Sequence, residues 1–175
     1  AIHALKFGGS RRSGVLLGRM LGEQLRRQVS NDTLQRAVLV PAPTTNLRRL
    51  SRNHGVDHTL QLARAASEAT GLPVARLLTR ATRPPQATVP PSHRAQNVRG
   101  AFSLRRGRML PKDRAIVLID DVRTTGSTMS ACCKALKTLD GNLSVSIRRT
   151  IVVATVAVAG EGRRSPAKAT DDAKI

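Results

Sequence analysis

Val117-Leu118-Ile119-Asp120-Asp121-Val122-Arg123-Thr124-Thr125-Gly126-Ser127-Thr128 is the stretch on which the fold turns. An apolar run ends in two adjacent carboxylates. A short Thr/Gly/Ser turn follows, and then a helical pattern begins. The order predicts a buried strand over Ala115–Ile119, a pair of acids at its carboxyl end, and a loop at a helix N-terminus. The helix is expected over Ser127–Leu139, with Met129, Cys132, Cys133, Leu136 and Leu139 as its apolar side and a stop near Gly141.

Working outward, Ala37–Val40 is a second short apolar run. Pro41 and Pro43 end it, so a strand leads into a loop. That loop, Ala42–His54, carries Arg48, Arg49 and Arg52. A helix is predicted from Asp57 to Thr70, stopped by Gly71 and Pro73. Upstream, Leu17, Leu21, Leu25 and Val29 recur every fourth residue and mark one face of a helix over 11–29. Val74–Leu78 reads as a possible strand, 82–114 as an irregular arm rich in Pro and Arg, and Val145–Ala159 as one or two β segments. Strands alternating with helices imply an α/β fold, a Rossmann-like central parallel sheet with helices on both faces. Residues 1–160 are taken as one domain and 161–175 as a disordered polar tail.

Composition narrows the function. The chain has 175 residues, is 40% hydrophobic and contains no Trp or Tyr and only two Phe, so its core must be aliphatic. Stacking platforms for single-stranded nucleic acid have almost no material. The net charge of +19 favours polyanions, whether nucleic acid, an acidic partner or a phosphorylated metabolite, although a solvated basic surface explains it equally. The two adjacent cysteines have no metal-ligand spacing and read as small buried helix residues. With no disulfide framework and no secretory signal, the expected location is the cytoplasm. Ile151–Gly160 is apolar but about half the length a bilayer span needs, so no membrane partner is expected.

Ligands of parallel α/β sheets bind at the carboxyl ends of the strands. There, residues 124–128 offer amides, hydroxyls from Thr125, Ser127 and Thr128, a glycine for a tight turn, and a helix dipole, all suited to a phosphate monoester. Asp120 and Asp121 can accept hydrogen bonds from vicinal ribose hydroxyls, and can help place a Mg²⁺ held mainly by substrate oxygens. A Walker A loop and a dinucleotide fingerprint are both missing. A lone Mg²⁺ site and a helix-capping acid remain alternative readings of the two carboxylates.

Val117–Thr128 resembles the phosphoribosyl-pyrophosphate (PRPP) motif of type I phosphoribosyltransferases. Other segments resemble the ComF-like branch linked to bacterial competence. They are Leu5-Lys6-Phe7-Gly8-Gly9; Val40-Pro41-Ala42-Pro43 with Arg48-Arg49 and Asn53-His54-Gly55-Val56-Asp57-His58; and Gln86, Arg94 and Asn97-Val98-Arg99-Gly100-Ala101-Phe102.

The resemblance implies a glycosyltransferase of nucleotide metabolism. Asp120 and Asp121 would serve the ribose as catalytic acids, and Thr124, Thr125, Gly126, Ser127 and Thr128 would hold the 5′-phosphate. Ala42, Pro43, Thr44 and Thr45, running to Asn46, would form the pyrophosphate loop. Arg94 would sit on a mobile arm near 84–100 that closes over the site. The implied partners are PRPP with Mg²⁺, an unknown acceptor, and possibly nucleic acid or a competence protein.

The resemblance allows three roles: PRPP-dependent transfer, a non-catalytic accessory of DNA uptake, or a PRPP-sensing regulator. The branch usually opens with a four-cysteine zinc ribbon, which this sequence lacks; the start at Ala1 would fit a truncated chain. Val56 stands where the branch has an aromatic. Thr124 stands where 6-oxopurine salvage enzymes carry an acid, which disfavours that substrate class.

Overall fold

A computed structural model describes residues 11–43, 57–81, 101–123, 125–140 and 149–158. The basic loop beyond Pro43, most of the Pro- and Arg-rich arm, and the polar tail lie outside these described residues. Three parallel strands form the centre: β1 (Ala37–Pro41), β4 (Ala115–Arg123) and β5 (Ile151–Val158), in the order β1-β4-β5. β4 is the middle strand, pairing Ala37 with Ala115 on one side and Ile116 with Ile151 on the other.

Period-2 alternation sorts the strand residues between two cores. Ala37, Leu39, Ala115, Val117 and Ile119 face α1 (Arg11–Gln28) and α3 (His58–Thr70), where they meet Leu17, Leu25, Leu62, Ala63 and Ala66. Val38, Val40, Ile116 and Leu118 face α4 (Ser127–Lys137), where Met129, Cys132, Ala135 and Leu136 close the second core. This is the expected α/β fold, a parallel sheet with helices on both faces. Each fully buried Leu or Ile contributes about 1.5–3 kcal/mol.

Local chemistry sets the helix ends. The carboxylate of Asp57 accepts the Leu60 amide at 3.2 Å and starts α3; Gly71, in the left-handed region at φ 77°, ends it. A short helix α2 (Asn31–Gln35) links α1 to β1. α1 lies unusually close to α3. A Cβ at Gly18 would sit 2.5 Å from the Ala65 Cβ and 2.7 Å from the Leu62 carbonyl oxygen, so only glycine permits this approach.

The structure departs from the sequence reading in four places. β4 does not stop at Ile119. It runs through both acids to Arg123, because β5 keeps pairing with it, Asp120 with Thr155 and Val122 with Ala157. Val74–Leu78 is not one strand: Val74 makes only an isolated parallel bridge to Leu39, and β2 is Leu78–Arg80. The stretch read as an irregular arm holds β3 (Phe102–Leu104), antiparallel to β2. Three-residue strands are too short to display a period. Finally, α4 ends at Lys137 and tightens into a 3₁₀ turn, Thr138–Asp140, as the Thr138 hydroxyl bonds the Ala135 carbonyl at 2.7 Å. Of the two cysteines, Cys132 is buried and Cys133 only half-buried.

Candidate functional site

β1 pairs with β4 only as far as Pro41 opposite Ile119, while β4 continues to Arg123 beside β5. The sheet therefore has a step, and Asp120 and Asp121 stand on it. Alternation turns Asp120 toward the α4 side and Asp121 toward the α1/α3 side. Both are half-buried. The Asp121 amide donates to Asp120 Oδ1 at 2.9 Å, and the Val122 amide to Asp121 Oδ1 at 2.7 Å, so each carboxylate accepts from the main-chain amide that follows it.

The chain then turns into α4. Gly126 is the N-cap at φ 75° and ψ 0°, a left-handed conformation that penalises any side chain and most of all a β-branched one. With glycine there, no side chain caps the helix. The Thr125 and Ser127 hydroxyls lie 3.0 Å apart, and the Ser127 amide reaches Thr125 Oγ1 at 3.4 Å. The Ser130 amide closes the first helical bond to the Gly126 carbonyl at 2.9 Å. The first-turn amides have no intrahelical acceptor, and the positive end of the helix dipole lies at this terminus.

Ala42 and Pro43 leave β1 at the same end. The Ala42 amide donates to the Ile119 carbonyl at 2.8 Å, which ties this loop to the residue before the acids. The buried Thr59 hydroxyl lies 2.7 Å from the Ala42 carbonyl and 2.9 Å from Asp57 Oδ1. Thr59 was not legible as a site-supporting residue; in the sequence it is one more residue in the first turn of a helix. The structure thus brings together Asp120, Asp121, Thr125, Gly126, Ser127, Thr128, Ala42 and Pro43. Thr44, Thr45, Thr124 and Arg94 lie outside the described residues.

Beneath the acids, burial pushes the Cys132 thiol up to about 12; the Asp120 charge and Cys133 add to this and Arg80 opposes it. Arg80 lies on β2 with its guanidinium 5.1 Å from the Phe102 ring centre. Among the described residues, no group of three or more His, Cys, Asp or Glu could hold a metal. The two carboxylates fit a Mg²⁺ that arrives bound to substrate oxygens, since such an ion needs only one or two protein carboxylates. No helix among the described residues is long and apolar enough to cross a membrane.

No protein-family model matches the chain, and no curated protein matches it. It is similar to several solved structures. One is the allosteric regulatory enzyme of purine biosynthesis, at 20% identity over 85% of this chain and 26% of that one, with a TM-score of 0.45. A second is the glutamine PRPP amidotransferase of B. subtilis, complexed with ADP and GMP, at 22% identity over 85% and 26%, TM-score 0.47. A third is the orotate phosphoribosyltransferase of Aeropyrum pernix, at 15% identity over 80% and 70%, TM-score 0.38. The chain thus spans about a quarter of the first two proteins.

Proposed function

We propose that the step at the carboxyl end of β4 binds PRPP and that the protein is a phosphoribosyltransferase acting on an unidentified acceptor. One observation carries this reading: two adjacent carboxylates near the carboxyl end of the central strand, with a glycine-capped helix start five residues after the second and no side-chain cap on it. In this reading Asp120 and Asp121 accept hydrogen bonds from the ribose hydroxyls. Thr124 to Thr128 surround the 5′-phosphate, and the loop from Ala42 through Thr45 takes the pyrophosphate. Asp120 and Asp121 would help place a Mg²⁺ held mainly by substrate oxygens, and such an ion would supply charge neutralisation.

The protein needs no nucleophile of its own. A lone pair of the acceptor forms the new bond to the anomeric carbon, and the bond to pyrophosphate breaks with its electron pair leaving on the pyrophosphate oxygen. The chain's part is to hold the sugar and the acceptor in line and to stabilise charge as it moves. In this reading Arg94 is a further substrate-binding residue.

The test is a calorimetric titration with PRPP and Mg²⁺, followed by a screen for pyrophosphate release with candidate bases. Saturable PRPP binding with pyrophosphate release supports the transferase. Binding without release for any acceptor favours the second reading, a ComF-like accessory of DNA uptake or a PRPP-sensing regulator, for which the net charge of +19 speaks. No PRPP binding overturns both catalysis and sensing.

A further inference from the structure

The opposite end of the sheet has its own chemistry. Each central strand is entered from an arginine: Arg36 directly before β1, Arg114 directly before β4, and Arg149 two residues before β5. Arg149 is a scaffold residue. Its side chain is 1% exposed; Nε bonds Asp140 Oδ1 at 3.1 Å, Nη1 bonds the Pro111 and Arg114 carbonyls at 2.7 and 3.0 Å, and Nη2 reaches the Leu110 carbonyl at 3.4 Å. Arg36 Nη1 holds the Asp113 carbonyl at 3.2 Å while its Nη2 pairs with Asp32 at 2.8 Å. Two arginines thus pin the main chain of 110–114 to the sheet.

The pinned segment and the turn before it, 105–109, present charge. Arg106, Arg108 and Lys112 are exposed, and Arg105 and Arg114 half-exposed, with Asp113 the only acid between residues 105 and 114. Arg36, Lys112, Arg114 and Arg149 line a cleft of about 360 Å³ with Asp113. The last turn of α4 ends at the same end of the sheet and adds Lys134 and Lys137.

We infer that this amino-terminal face of the sheet, centred on the loop 105–114, binds the phosphodiester backbone of double-stranded nucleic acid. It does so without sequence preference and independently of the PRPP site. A dense group of exposed cations beside a held main chain suits a polyanion with many phosphates, and Arg binds phosphate with paired donors. Among the described residues the face offers no aromatic for base stacking, since Phe102 is buried, which removes the usual advantage of a single strand. Met109, 91% exposed at the loop tip, is its one large apolar side chain, too little to anchor the protein in a bilayer.

The experiment is fluorescence anisotropy of the full chain with a labelled duplex of mixed sequence over a range of salt. Arg106→Gln/Arg108→Gln/Lys112→Gln is compared with a control, Arg12→Gln/Arg64→Gln, which removes exposed charge from α1 and α3. The triple variant should lose at least tenfold in affinity at low salt and flatten the slope of log K against log salt by about 2–3. The control should change affinity less than twofold, and PRPP affinity should be the same in both. A single strand of equal length should bind no tighter than the duplex. The inference is overturned if the unmodified chain does not bind duplex at low salt, if triple and control variants lose equally, if the single strand binds tighter, or if only vesicles of anionic lipid are bound. A retained thermal transition shows that the triple variant is folded. Since PRPP binding is read separately, failure here leaves the transferase reading standing, and the reverse.

Discussion

The buried hydroxyl of Thr59 and the carbonyl of Ala42 lie 2.7 Å apart, joining the first turn of α3 to the loop that leaves β1. On its other side Ala42 donates to Ile119, so one residue is held both by a helix and by the strand that carries the acids. The loop's first residue is therefore fixed from two directions before any ligand is present.

Thr59→Val tests that arrangement. The shape is kept and the donor lost, leaving the carbonyl of a residue only 2% exposed without this partner. Stability should fall by about 1–3 kcal/mol in urea unfolding. PRPP affinity should fall as well, and Thr59→Ser should restore the affinity while recovering only part of the stability. Loss of affinity with serine as with valine would show that the hydroxyl does not position the loop.

Two substitutions separate the acids from the turn. Asp121→Asn removes one charge and keeps the shape; Gly126→Val puts a branched side chain at φ 75°, at a strain of about 1–3 kcal/mol. Both should weaken PRPP binding by at least tenfold, with the fold retained by circular dichroism. The valine should also abolish binding of ribose 5-phosphate, which still needs the turn. An effect of neither variant on PRPP affinity would count against the proposed site.

The contact between α1 and α3 gives a purely structural prediction. Gly18→Ala gains about 1 kcal/mol of helix propensity. It also drives a methyl group into Ala65 and the Leu62 carbonyl, and overpacking of that kind costs about 1–3 kcal/mol. The net result should be a lower melting temperature, partly rescued by Ala65→Gly. Gly71→Ala meets nothing within 4 Å, so its cost comes from φ alone and should be insensitive to Ala65→Gly.

Cys132 gives a pH dependence. Its thiol is raised from an ordinary value of 9.0 to about 12, chiefly by burial. Because the folded state holds the proton more tightly, the stabilisation is complete below pH 9 and is lost as pH rises from about 9 toward 12. Urea unfolding should show stability falling through that window, and less steeply in Cys132→Ala. In the native protein at pH 8, Cys132 should resist alkylation far more than in denaturant. Rapid native labelling of Cys132 would show that it is not buried.

Much of this was legible because it is written locally. The apolar runs Ala37–Val40 and Ala115–Ile119, the helix from Asp57 and its stop at Gly71 and Pro73 are short-range signals. The acids and Gly126 were legible for the same reason: strand, turn and helix follow one another without a gap. What was not legible depends on partners distant in sequence. The extension of β4 to Arg123 needs β5 beside it, the pairing of Leu78–Arg80 with Phe102–Leu104 spans the arm, and the roles of Thr59 and Arg149 exist only once the Ala42 and Leu110–Arg114 carbonyls are in place. The glycine packing of α1 belongs with these, because Gly18 and Gly22 matter only once Ala65 and Ala69 of α3 lie against them.

The parallel register has a kinetic consequence. Arg36 and the Asp113 carbonyl it holds are 77 residues apart in sequence, and β1 finds its partner strand only after more than 70 further residues have been made. Closing so long a loop is entropically costly, and topologies of this kind fold slowly. During synthesis α1 and α3 can pair first, since their contact needs only the first 70 residues, but the apolar run of β1 waits for β4 with its edge open.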